Sequence, residues 1–426
     1  MLKNLRWVAP IMILTGLGEP VAADVITDWN EKAVAFVTKQ RMLPPQAERV
    51  VASVHVAMFD AVNSVERRYH PYRLAVSAAK DTSKEAAAAV AASMVLVGLH
   101  PKETEELNAM IDAYLSAIPP GAAKSEGIKV GQEVAAKIVA ERKGDGADAP
   151  DAYRPKTKPG VYVPTPITAS SMWPNVKPFA MTSPSQFRPQ RPIPLAGEEW
   201  AADYNEIRNL GGKNSSKRTA RQTEDAQFWL ITGPASYHPI VRQLALAKKM
   251  DVVDSARFMA FASTAAADAL IAVFDAKYHY DFWRPITAIR NGDVDGNPAT
   301  ELDATWQPID NTPMHPEYPC AHCITSAAIA TVVEAALGSA DIPEVSMTSP
   351  TAPGITHRWT NVWAYADEVA MARIYAGFHY RFSTRVGQDM GRKIGRLVVE
   401  SLMQKTSVAE NPAIVAPASA RASDGR

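Results

Sequence analysis

Apolar residues recur at i, i+3, i+4 and i+7 along most of the chain, which is the period of helices that bury one face. The segment 50–65 (VVASVHVAMFDAVNSV) shows this most clearly. An alanine-rich helix is predicted over 84–99, with Asp81 or Ser83 as N-cap and Pro101 beyond its end. The pattern continues over 103–118 and over 127–143, where Gly144 stops it. It resumes over 198–209, 217–229, 239–250, 255–280, 320–337, 363–380 and 383–404. No run of alternating positions is long enough to predict a sheet. The fold class expected is therefore all-α, a helical bundle whose two layers present a site from one end.

Two stretches break the period. From 150 to 195 the chain is dense in proline, with Trp173, Phe179 and Phe187 interleaved. Proline removes backbone donors and fixes φ, so this stretch is neither helix nor central strand. The aromatics favour an extended strap packed on the helical body over a free linker. The segment 292–307 reads as a polar loop, and 406–426 as a small, polar, disordered tail. The expected organisation is a leader over 1–23, a helical region over 24–149, the strap over 150–195, a catalytic bundle over 196–405, and the tail.

Composition narrows the function without naming it. Lys3 and Arg6, the short apolar run from Trp7, and Val21 and Ala23 ahead of Asp24 form a secretory signal peptide. A periplasmic or secreted protein is expected, with no window in the mature chain able to span a membrane. Formal net charge is zero, so nucleic acid and anionic membrane surfaces are not expected partners. Any strong positive field must be local. Cys320 and Cys323 are the two cysteines of the chain, too few for a disulfide scaffold but close enough to bridge in an oxidising compartment.

Three short segments carry chemistry. In Lys277-Tyr-His-Tyr-Asp-Phe-Trp-Arg284-Pro285, two cations seven apart lie about 20° from each other around a continuous helix, so both would face one side. In Glu317-Tyr-Pro-Cys320-Ala321-His322-Cys323, a proline precedes a small-residue helix. The unpaired amides and dipole of such a helix start attract anions, and a histidine there suits acid–base work. In Arg373-Ile-Tyr-Ala-Gly377-Phe-His379, Arg373 offers a planar fork for an oxyanion and His379 a nitrogen nucleophile or ligand. Six residues place these two on different helix faces, so Gly377 is expected where the helix ends. Taken singly, the three segments read equally well as a solvated stripe, a structural histidine and a core histidine.

In this order, K-x6-R-P, P-x-x-H and R-x5-H resemble the vanadium-dependent haloperoxidases, within the type 2 phosphatidic acid phosphatase superfamily. The words KYHYDFWRPITAIRNGD, HPEYPCAHC and ARIYAGFHYRFS look like the haloperoxidase branch, and the likeness runs from about Phe187 to Leu402. It implies that Lys277, Arg284 and Arg373 hold the oxygens of vanadate, or of phosphate in the same site. His379 would be the axial ligand of vanadium or, in an acid phosphatase, the nucleophile that forms a phosphohistidine. His322 would be the acid–base group. Substrates would be halide and hydrogen peroxide, or a phosphate ester. The resemblance admits a homo-oligomer, which no feature of this sequence specifies.

This chain departs from the pattern where Cys320-Ala321 replaces Ser-Gly and where Ala372 replaces the serine before Arg373. A thiol is a poorer donor to an oxyanion than a hydroxyl, and alanine resists a positive φ. A free thiol beside peroxide chemistry would also be oxidised. Either Cys320 and Cys323 are bridged, then, or the phosphatase reading gains. His315 aligns with a position near the halide, where histidine points to bromide rather than chloride. Asp268 is a candidate to orient a cationic ligand, and the remaining histidines read as structural or surface. Two other readings are zinc on His315, Cys320, His322 and Cys323, and a non-catalytic oxyanion binder toggled by the C-x-x-C pair.

Overall fold

The structure, a computed structural model, describes residues 24–164 and 167–407. The leader over 1–23 and most of the tail lie outside the described residues. Five helices come first: α1 (Val25–Lys39), α2 (Pro44–Val65), α3 (Lys84–Leu99), α4 (Thr104–Ser116) and α5 (Ala122–Arg142). After the proline-rich stretch come α6 (Glu198–Leu210), α7 (Ala220–Phe228), α8 (His238–Ala247), α9 (Val252–Tyr280), α10 (Pro285–Ile289) and α11 (Ala321–Leu337). A hairpin of β1 (Asp341–Ser349) and β2 (Ala352–Asn361) leads to α12 (Val362–Tyr375) and α13 (Arg381–Ser401). The fold is all-α with one two-stranded ribbon.

Helix starts follow their capping chemistry. Ser83 caps α3 and accepts from the amide of Ala86. Asp251 caps α9, and Thr219 with Gln222 forms a capping box at α7. Helix α2 begins six residues ahead of its periodic stretch, because Pro44 and Pro45 occupy the first turn, where no amide is needed. Helix α1 is an addition to the predicted set.

The core is built on α2 and α9, which pack against each other, with α3 and α5 on one side and α11 and α13 on the other. Helix α9 corrects one expectation. It is long and apolar enough to cross a membrane, yet its whole apolar window is buried inside the molecule. Helices α11 and α13 approach closely along Gly387, Gly391 and Gly395. A Cβ at Gly387 would lie 2.7 Å from the Cys320 carbonyl, and one at Gly395 would lie 2.7 Å from that of Ala328. That close approach fixes the start of α11 against α13.

The ribbon is a second correction. Strands β1 and β2 pair antiparallel, with Val345 opposite Trp359 and Met347 opposite His357. Ile342, Val345, Met347, His357 and Trp359 are buried while Glu344 and Arg358 pair outside. Pro343, Pro353 and a register shift between Asp341 and Val345 interrupt the alternation that would have announced it.

The described part of 150–195 is irregular, with several turns and one short 3-10 turn, Trp173–Asn175. Trp173, Val176, Phe179 and Met181 are buried. Asp268 accepts the amides of Phe179, Ala180 and Met181 at 2.7–2.9 Å, and Arg188 forks onto Asp275. Asp268 therefore tethers this segment to α9 and orients no cation of the site. At the other end of the chain, the predicted free tail begins tethered: the amide of His70 donates to Gln404 and that of Thr406 to Arg68.

Candidate functional site

Each candidate side chain sits where an element starts or stops. Lys277 is in the last turn of α9, which ends when Asp281 turns left-handed at φ 55°. Arg284 is therefore not on the same helix as Lys277, which corrects the one-face reading. It is the N-cap residue of α10, with extended backbone, because Pro285 disfavours helical geometry in the residue before it. The turn between them swings Arg284 back toward the bundle.

The third segment also ends early. Helix α12 stops at Tyr375, and Gly377 adopts φ 79°. A side chain there would meet the Gly211 carbonyl at 2.5 Å and Pro308 at 2.9 Å. The chain reverses at Gly377, so His379 returns toward Arg373 despite the six-residue spacing. The amides of both Phe378 and His379 lie within reach of the Arg373 carbonyl.

The three cations are buried and held chiefly by backbone carbonyls. Lys277 Nζ donates to the carbonyls of Pro316 (3.0 Å) and Glu317 (2.7 Å). Arg284 donates to those of His315 and Phe378, both at 2.9 Å. Arg373 donates to that of Trp229 at 2.6 Å, and its Nε has no partner. Burial pulls all three below their ordinary pKa ranges, with Arg284 adding to the effect on Lys277. Carbonyls place these cations without neutralising them. The cluster therefore keeps a concentrated positive field in a nearly neutral protein.

His379 is oriented by a residue that the sequence reading left without a role. Its Nδ1 lies 2.7 Å from Glu317 Oε1, which also accepts the Tyr380 amide at 3.2 Å. Glu317 is fully buried; burial raises its carboxyl to about 7, against the opposing pull of Lys277 and Arg284. Burial, then Arg284, hold the His379 imidazole well below its usual range. With Nδ1–H directed at Glu317, the lone pair is on Nε2, 3.3 Å from an Arg284 nitrogen. No local motif flags Glu317; its partner is 62 positions away, and the weak signal is an acid amid HPEYP.

His322 stands in the first turn of α11, with Nε2 3.1 Å from the Ile231 carbonyl. It is neutral at pH 7, because burial and then Arg373 push it well down. His315 Nδ1 lies 3.0 Å from Arg284, and its pKa too is lowered well, by burial first and then Arg284. His315, Ala321, His322, Arg373 and His379 line one cleft of about 200 Å³, together with Leu43, Pro44, Leu270, Phe274 and Met314. Arg284 and Met314 also border a neighbouring groove that carries Lys213 and Arg290.

Cys320 and Cys323 form a disulfide. The Cys320 sulfur is the N-cap acceptor of α11, taking the Cys323 amide at 3.2 Å. Cys320 is thus a structural cap and not a donor to an oxyanion, and bridged sulfurs do not serve as zinc ligands. Ala321 begins the helix without a positive φ, so alanine fits the place where a glycine was expected. Neighbouring Ala372 is fully buried.

Residues 257–407 match the family model of the VCPO second helical-bundle domain. The vanadium chloroperoxidase of Curvularia inaequalis is 24% identical over 469 aligned residues, covering 82% of this chain and 76% of that protein. Among solved structures, a bacterial vanadium-dependent iodoperoxidase superposes with a TM-score of 0.77 at 23% identity, over 91% of this chain and 99% of that one. An apo bacterial vanadium-dependent chloroperoxidase gives 0.65 at 16% identity, over 84% and 94%. These structural likenesses establish the fold.

Proposed function

We propose that this chain is a vanadium-dependent haloperoxidase and that it oxidises halide with hydrogen peroxide at a His379-bound vanadate. The observation that carries the proposal is the His379 ring. Its Nδ1 is fixed on Glu317 and its Nε2 lies beside Arg284, inside a cleft that Arg373 and His322 also line. The residues fit an oxyanion. Three buried cations have carbonyls as partners, and the Nε of Arg373 is unpaired in a site where burial is costly.

Lys277, Arg284 and Arg373 would hold the oxyanion's oxygens, and Nε2 of His379 would bind the vanadium. Vanadate, when bound, activates peroxide for oxygen transfer to the halide. The carbonyl of Ile231 favours the Nε2–H tautomer of His322, which leaves Nδ1 to accept a proton from incoming peroxide and return it later. The apolar wall of Leu270 and Phe274 limits water at the reacting oxygens.

Bromide rather than chloride is the proposed halide. A neutral imidazole at His315 borders the cleft, and bromide is the easier of the two to oxidise. Export belongs to the same proposal, supported by the bridged cysteine pair, since such bridges persist in oxidising compartments. The bridge also removes the free thiol that would argue against peroxide chemistry.

The test is bromination of a reporter diketone by the mature chain, with and without orthovanadate, and with bromide or chloride. Turnover that requires vanadate and is faster with bromide is expected. Phosphate-ester hydrolysis that vanadate inhibits, with no bromination, would overturn the proposal and assign a phosphatase.

A further inference from the structure

Beside the Trp229 indole, α7, β2 and α12 bring Glu224, Asp225, His357 and Glu368 together. The His357 ring is 2% exposed and stacks on Phe228 with centroids 3.9 Å apart. Its Nδ1 lies 2.6 Å from Glu368 Oε1, so the carboxylate fixes the proton there. Glu368 is itself held by the indole N–H groups of Trp229 and Trp359.

The other ring nitrogen is the anomaly. Nε2 of His357 is buried and makes no hydrogen bond, yet it points at Glu224 Oε1 (3.4 Å) and Asp225 Oδ1 (4.0 Å). A lone pair aimed at carboxylate oxygens in a buried site is repulsive unless a cation lies between them. Three carboxylates here face one guanidinium: Arg221, on the solvent side, reaches Asp225 at 2.8 Å and Glu224 at 2.9 Å. Its side chain is 58% exposed and free to swing outward.

The donor atoms of Glu224, Asp225 and His357 all lie within 4.8 Å of one another. Metal–nitrogen and metal–oxygen bonds of about 2.0–2.2 Å place ligand atoms roughly 3–4 Å apart, so the trio needs little movement to converge. A carboxylate behind a histidine, with the other nitrogen turned to anionic donors, is the arrangement that prepares imidazole for a metal.

We propose that His357, Glu224 and Asp225 form a divalent-cation site of the zinc type, with Glu368 orienting His357 and Arg221 as the displaceable counter-ion. The site is separate from the oxyanion cleft and does not depend on the activity proposed above.

Isothermal titration with Zn²⁺, and Co²⁺ absorption in the visible range, test it on the mature protein after chelator treatment and dialysis. One zinc per chain is expected at this site, with a Co²⁺ spectrum typical of nitrogen and oxygen ligands. Glu368→Gln should weaken binding about 10–100-fold, and His357→Gln should abolish it. Arg221→Ala should strengthen binding, because it removes the competing cation; a misfolded variant could not give that result. Absence of zinc binding to the parent protein would overturn the proposal. So would binding unchanged in His357→Gln, or binding in Arg221→Ala that is no tighter than in the parent.

Discussion

Replacing Glu317 by glutamine should have two effects of opposite sign. The side chain keeps its shape and an oxygen for Nδ1 of His379 and for the Tyr380 amide, but it loses its charge. A carboxylate behind a ligating histidine raises the basicity of the ring, and losing such a partner costs about 10–100-fold in affinity. Vanadate should therefore bind to Glu317→Gln about 10–100-fold more weakly, or by about 1.4–2.8 kcal/mol. Stability without vanadate should move the other way. Burial raises the Glu317 carboxyl from 4.5 to about 7, so the folded state holds this proton more tightly than the unfolded chain does. That contribution is fully present below pH 4.5 and is lost as pH rises toward 7 and beyond. At about 1.4 kcal/mol per pH unit, the loss amounts to about 3 kcal/mol, and glutamine, which never ionises, avoids it. Titration calorimetry with orthovanadate, together with denaturant melts of vanadate-free protein at pH 5 and pH 8, measures both effects. Vanadate affinity within twofold of the parent would refute the orienting role. An equal loss of stability between the two pH values in parent and variant would refute the linkage.

Other outcomes follow from the same geometry. Arg373→Ala should weaken vanadate binding by about 1.5–3 kcal/mol, the worth of a hydrogen bond to a charged group. Arg373→Lys should recover little of that in the same titration, because the fork is lost. Gly377→Ala should cost at least about 2 kcal/mol in a melt, combining a left-handed backbone with crowding against Gly211 and Pro308, and it should lower vanadate affinity by displacing His379. Asp268→Ala strands three amides of the proline-rich segment and should cost about 3 kcal/mol or more; chymotrypsin should then cut after Phe179, which is buried in the parent.

The sequence made visible whatever depends on near neighbours. The cations and histidines of the site sit at helix ends punctuated by Pro285, Pro319 and Gly377, and these local signals are strong. Lys277, His322, Arg373 and His379 converge as their motifs implied, and Arg284 joins them by a route through the turn at Asp281. What stayed hidden depends on distant contacts. Glu317 acquires its role from a histidine on another element, Asp268 from a segment nearly ninety positions earlier, and Cys320 from the helix it caps. The ribbon escaped because its prolines and shifted register weaken a period that is short to begin with. Helix α9 passes for a membrane segment on its own, and packing on all sides explains its apolar surface.

The carbonyl clamps on Lys277, Arg284 and Arg373 bear on how freely this pocket can be altered. Every residue offers the same carbonyl oxygen whatever its side chain, so the placement of charge by those carbonyls does not depend on the identity of residues 229 and 316. A mutational library at Met314 can reshape the reception of halide or organic acceptor while the cations stay where they are. His315 and Glu317 are the exceptions in that stretch, since the His315 imidazole meets Arg284 and the Glu317 carboxylate meets His379 in addition to the carbonyl contacts. The pocket is open to redesign of its lining around a charge framework that side-chain changes leave in place.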